Sequence, residues 1–149
     1  MAIDRRTEMT TEETDAFLGR QETGVLALAR TDEPYAIPVS FGYDADVRQF
    51  YVRLVSTPES EKRRFLGSEP EARLVVYEED DDVYKSVVAI GPLDRIDPSE
   101  LTTEDIQQYG AAKRPLFEIW PQQKGDLDID LYRLRPETLS GRVIEVDRE

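Results

Sequence analysis

The stretch from Tyr35 to Tyr43 constrains this chain more than any other. Bulky Tyr35, Ile37, Val39, Phe41 and Tyr43 alternate there with small Ala36, Pro38, Ser40 and Gly42. A period of two separates the sets onto opposite faces of an extended strand, which no helix can do. One face is bulky and the other is nearly bare backbone. Two readings of the bare face stand side by side: small residues suit the tapering interior of a barrel, or they let a flat ligand approach the backbone.

The flanking sequence supplies partners for that strand. Gly24 to Ala29 is a compact apolar run bounded by Thr31-Asp32-Glu33-Pro34, so it reads as a strand and a turn leading into the alternating segment. Asp44-Ala45-Asp46 turns the chain again, and Phe50 to Val55 returns as a third strand. Further strands are expected at Arg73 to Tyr77 and Val83 to Ile90, joined by the acidic turn Glu78 to Asp82, and at Ile129 to Leu134 and Leu139 to Val146 on either side of Pro136. Thr10-Thr11-Glu12-Glu13 ahead of Ala16, Phe17 and Leu18 predicts a short capped helix that ends near Gly19 and covers one end of the core. Thr57 and Pro58 open a second helix with Phe65 and Leu66 on its apolar side, and Pro98 to Tyr109 reads as a third. Gly110 to Asp128 reads as irregular, with Trp120 in the core or at an interface. About seven short strands with a few small helices predict a mainly β, α+β chain: an antiparallel barrel forming one domain over residues 1–149.

Composition closes several function classes. The chain has neither His nor Cys, so Ser-His-Asp and Cys-His nucleophile pairs, His-ligated haem and the usual zinc sites are excluded. No Gly spacing makes a dinucleotide fingerprint or a phosphate-binding Walker loop. The acidic pairs are too many for any one to mark a carboxylate dyad or a cation site, and no metal site is assigned. Asp and Glu number 32 against 19 Lys and Arg, a net charge of −13 that argues against nucleic acid as a partner. The Met1 to Glu8 segment lacks the apolar core of a signal peptide, and no later apolar run approaches the ~18 residues of a membrane span. A soluble cytoplasmic protein with no membrane partner is expected.

Against this acidity, Ser60-Glu61-Lys62-Arg63-Arg64 places three consecutive cations in the first turns of the second helix. The helix dipole favours cations at the opposite end, so local stability does not account for them. A phosphate held by backbone N–H groups near Pro58 to Ser60, the Ser60 hydroxyl and a Lys or Arg head would account for them. The alternative is a solvated face on which these cations pair with Glu59 and Glu61.

Taken in order, Gly24 to Ala27, Pro34 to Asp44, Phe50 to Arg53 and Ser60-Glu61-Lys62 resemble the flavin-binding split-barrel proteins related to pyridoxamine phosphate oxidase. The resemblance covers roughly residues 10–95. It implies an antiparallel split β-barrel and a homodimer holding two FMN molecules between its subunits. It also implies that Pro38, Val39, Ser40 and Phe41 pass beside the isoalloxazine ring, and that Arg53, Ser60, Lys62 and Arg63 surround the phosphate. Arg53 stands where His is common in the family, and the substrate-binding residues of pyridoxamine phosphate oxidase itself have no clear counterpart.

The function this implies is an FMN-dependent oxidoreductase that moves hydride or electrons between the flavin and a small-molecule substrate or a reduced nicotinamide. No side chain is assigned as catalytic, because the cofactor carries the hard chemistry. A flavin-binding module without turnover is one alternative, and a reductase that uses a deazaflavin coenzyme is another.

The 15 Arg and 4 Lys beside 15 Asp and 17 Glu also resemble proteins of salt-loaded, halophilic cytoplasms. The Debye length falls from about 30 Å at 0.01 M to about 3 Å at 1 M, so molar salt relieves the self-repulsion of such a surface. The melting temperature is expected to fall as salt is lowered from molar to tens of millimolar. A flat profile in a thermal-melt salt series would contradict the halophilic reading.

Overall fold

The computed structural model describes residues 3–56, 65–66, 70–97, 99 and 128–147. In chain order they form β1 (Ile3–Glu8), α1 (Thr11–Arg20), β2 (Thr23–Arg30), β3 (Glu33–Asp44), β4 (Gln49–Ser56), β5 (Glu71–Asp80), β6 (Val83–Arg95), β7 (Asp128–Leu134) and β8 (Thr138–Asp147). Every pairing is antiparallel, and β6-β5-β2-β3-β4-β7 closes on itself through a β6–β7 pairing. The fold is a closed six-strand antiparallel barrel of the split type, with β8 and then β1 extending the sheet beyond β6.

Among the described residues eight strands are present where about seven were expected. The added one, β1, carries a single apolar residue in Ile3-Asp4-Arg5-Arg6-Thr7-Glu8 and is held by pairing with Arg142 to Asp147. The expected first helix is present as α1. Thr10 accepts a hydrogen bond from the Glu13 N–H, and the Glu13 carboxylate accepts from the Thr10 N–H, completing the capping box. Of the second expected helix only Phe65 and Leu66 are described, and both are helical. Residues 57–64 and, Ser99 aside, the segment from Pro98 to Leu127 with Trp120 lie outside the described residues.

Alternation builds the core. Leu26 and Leu28 of β2, Val39 and Phe41 of β3, Phe50, Val52 and Leu54 of β4, and Leu74 and Val76 of β5 all point inward and are buried. Phe17 and Leu18 of α1 plug one end, and Phe65, stacked on Tyr35 at 5.0 Å, packs at the other. The bulky face of β3 is thus the inner one, and Ala36 and Pro38 are exposed outside. Their small size therefore does not come from barrel taper.

The last two strands behave as one long ribbon beside β6 with a single kink. Between the Leu93–Leu134 and Ile90–Thr138 pairs, β6 advances three residues and its partner four. That extra residue is a β-bulge, and it reverses side-chain parity so that Leu134 on one side and Leu139 on the other both face the core. Pro92 and Pro136 sit at the bulge, where no ladder N–H is required. The Arg135 N–H donates to the Pro92 carbonyl at 3.2 Å and the Glu137 N–H to the Ile90 carbonyl at 2.7 Å. A Cβ on Gly91 would run into the Arg135 carbonyl oxygen and lie 3.0 Å from the Glu137 nitrogen. Gly91→Ala is therefore expected to lower the unfolding free energy by about 2–3 kcal/mol in urea denaturation, as overpacking at a rigid backbone contact does.

A polar clasp fixes α1 over its end of the barrel. The Tyr43 hydroxyl donates to Asp15 Oδ1 at 2.6 Å, and Arg48 donates to Oδ2 of the same carboxylate at 3.2 Å. Burial and the bond to Asp15 push the Tyr43 hydroxyl well above its ordinary pKa of 10.0, so the folded state keeps that proton longer than the unfolded chain. The contribution is whole below about pH 10 and wanes as pH rises beyond it. Wild type is expected to be more stable than Tyr43→Phe at pH 8, with the gap closing above about pH 10 in paired denaturation curves.

Candidate functional site

Two outer surfaces carry the candidate residues. On β3, Pro38 is exposed, and Ser40 and Gly42 follow it on the same face, both buried. A hollow of about 390 Å³ opens beside Pro38, lined also by Thr23, Gly24, Val25 and Tyr77. Tyr77 stands 68% exposed at its edge, an aromatic surface available to a flat partner. The strand-to-strand register explains the grouping: Val25 lies opposite Pro38 on one side and Val75 on the other.

On the neighbouring outer face of β4 and β7, Arg53 lies opposite Leu131, and Tyr51 opposite Arg133. Inward-pointing Val52, Leu54, Tyr132 and Leu134 leave Arg53 and Arg133 on the outside as diagonal neighbours, with Cα atoms about 7–8 Å apart by sheet geometry. Arg133 Nε is buried with no hydrogen-bond partner. An orphaned guanidinium donor beside a second Arg is a chemical fit for an anion, because a buried donor costs free energy until something accepts from it. The next cation along, Arg135, is already paired with Asp94.

The expected site residues therefore divide. Pro38 and Ser40 present side chains on the outer face of β3, and Arg53 is on the outer face of β4, the strand beside it. Val39 and Phe41 turn their side chains into the core, 1% and 2% exposed, so only their backbone borders the outer face. Ser60, Lys62 and Arg63 lie outside the described residues. Sequence reasoning passed over Arg133 and Tyr77. The signal for Arg133 was present in Leu131-Tyr132-Arg133-Leu134, whose alternation puts Arg133 opposite to Tyr132 and Leu134.

Among the described residues no group of three or more Asp or Glu side chains is placed to hold a metal ion, and no helix is long and apolar enough to cross a membrane. No curated protein is similar enough to this chain to match it. Solved structures are similar in fold. One is an FAD-binding protein from Mesorhizobium loti, 22% identical, with a TM-score of 0.69 over 95% of this chain and 98% of that one. A second is the FAD-binding protein from Mycobacterium smegmatis, 15% identical, with a TM-score of 0.64 over 93% and 98%. A third is a heme-binding protein from the same organism, 19% identical, with a TM-score of 0.57 over 87% of this chain and 52% of that one. Residues 10–143, from the cap of α1 well into β8, match the family described as pyridoxamine 5′-phosphate oxidase, and the chain belongs to that family.

Proposed function

We propose that this chain is an FMN-binding oxidoreductase that works as a homodimer, exchanging hydride or electrons between the flavin and a small substrate or reduced nicotinamide. The observation that carries the reading is the outer surface running from the hollow at Pro38 to the orphaned Arg133 Nε beside Arg53. It offers the hollow beside exposed Pro38 for a planar ring and, in Arg133 Nε, a donor without a partner for a phosphate. Two relatives of this fold are named as FAD-binding proteins, which supports a flavin as the class of cofactor. The third is named for heme, for which this chain has no His ligand.

When bound, the flavin supplies the hydride-accepting and hydride-donating centre. The protein's part is to hold it. Arg53, Arg133, Ser60, Lys62 and Arg63 bind the phosphate in this reading, while Pro38 and Ser40, with the backbone of Val39 and Phe41, border the ring. A second copy covers the open side. Pro38, Val25, Val75 and Val88 form an apolar band across four strands of the outer surface, in register and partly exposed. Burying such a band against its own copy gives an isologous C2 dimer and shuts water from the groove.

Titrating FMN, riboflavin, FAD and a deazaflavin coenzyme into the purified protein tests the reading, with sedimentation for the dimer and reduced nicotinamide for turnover. FMN is expected to bind best. Lys62→Ala is expected to weaken FMN about tenfold to a hundredfold and leave riboflavin, which lacks the phosphate, unchanged. Arg133→Met should weaken FMN likewise without lowering the melting temperature of the cofactor-free protein, since the orphaned donor is removed. Equal FMN affinities across these variants would remove both residues from the site. Binding without turnover would leave a flavin-binding module, and preference for the deazaflavin would replace FMN.

A further inference from the structure

A second hollow, of about 530 Å³, lies along β2 beyond the first, lined by residues from Ala27 to Thr31 together with Phe65, Pro70, Glu71 and Arg73. Its lining includes small, apolar Ala27 and Ala29 and Pro70, with Phe65 bordering it from the core at 1% exposure. Its charges are unusual for this molecule. Arg20, Arg48, Arg95, Arg135 and Arg142 are each ion-paired with a carboxylate, as expected where acids outnumber bases. Among the described residues Arg30 and Arg73 have neither an ion pair nor a hydrogen bond to their side chains, and both line this one hollow. Glu71 lines it too and pairs with neither.

Two cations that share a cavity repel each other, and neutralising acids are abundant elsewhere on the surface. Their lack of partners here leaves the hollow with a net positive lining beside apolar Ala27 and Ala29. Thr31, also in the lining, is β-branched yet holds φ at 56° in the two-residue turn between β2 and β3, a conformation that costs free energy. The volume suits a small organic molecule.

We infer that this hollow binds a small organic anion, its carboxylate or phosphate held by Arg30 and Arg73 and its flat apolar body laid on Ala27 and Ala29. The hollow is separate from the Arg53 part of the flavin phosphate position proposed above, and the inference does not rest on that reading. Arg73 is on β5 and Arg53 on β4, with β2 and β3 between them, about 14 Å along the sheet. Glu71 sets the sign of a further effect, since a carboxylate beside the bound anion opposes binding.

Phenyl phosphate is the probe, with benzyl alcohol as the uncharged control, each followed by amide chemical shifts in 1H–15N spectra of the intact protein. Phenyl phosphate is expected to shift the amides of Ala27, Ala29 and Arg73 saturably, and benzyl alcohol to bind at least tenfold more weakly. Arg30→Gln and Arg73→Gln should each weaken phenyl phosphate about tenfold, whereas Glu71→Gln should strengthen it. All three side chains are exposed, so melting temperatures serve only to confirm that the variants fold. Equal binding of the neutral control, unchanged affinity in both Arg variants, or displacement of phenyl phosphate by FMN would each overturn the inference. The last outcome would make the hollow part of the cofactor site, and failure of FMN to bind at all would leave this result untouched.

Discussion

One edge of β6 serves two partners. Its first part, Val83 to Ile90, pairs with β8, and its last, Leu93 to Arg95, pairs with β7. The changeover at Gly91 and Pro92 lets β7 swing away to meet β4 and close the ring while β8 continues along the sheet. Without that division the sheet would stay open, and the two faces of each strand would not be committed to inside and outside. The commitment then propagates through the hairpins. Once Leu74 and Val76 face in, register obliges Arg73, Val75 and Tyr77 to face out, and the same rule exposes Pro38 and the cations of the outer surface.

The outer surface inherits its chemistry from what the interior demands. A core filled by Phe41, Phe50, Leu54 and Leu134 leaves the alternate positions free to be small or charged. The chain uses that freedom unevenly. Five described arginines are spent on ion pairs that tie neighbouring elements, such as Arg20 with Glu78 and Arg142 with Glu8. Of the others, Arg30 and Arg73 stand exposed beside a hollow, and Arg133 on the outer face of β7 carries a buried Nε for which no partner is present within the chain.

The sequence was most legible where alternation and turn chemistry agreed. The hairpin of β2 and β3 was readable because an apolar run, a Thr-Asp turn and strict period two all fall within residues 24–43. Composition misled where pairing overrode it. Glu78, Glu79 and Asp80 look like turn residues, yet they extend β5 opposite Lys85, Tyr84 and Val83, and the turn shrinks to Asp81 and Asp82. β6 runs through Pro92 for a similar reason, and β1 has no hydrophobic pattern to show. For the site, the small face of β3 was legible but its direction was not, since period two separates faces without saying which is inner. Arg133 was missed because its importance depends on Arg53 lying diagonally across a strand pair that no local pattern reveals.

The pairing of β1 with β8 joins Ile3 to Asp147, and it has a consequence for how the protein is made. On a ribosome adding about 5–20 residues per second, β1 emerges on the order of ten seconds before the strand it pairs with. Through that interval it is an unpaired ribbon open to any passing sheet edge. Its sequence, Asp4-Arg5-Arg6 with Glu8, is charged nearly throughout, a composition that discourages edge-to-edge association. The same poverty of apolar residues that hides β1 from a sequence reading keeps the nascent chain from adopting a wrong partner while it waits.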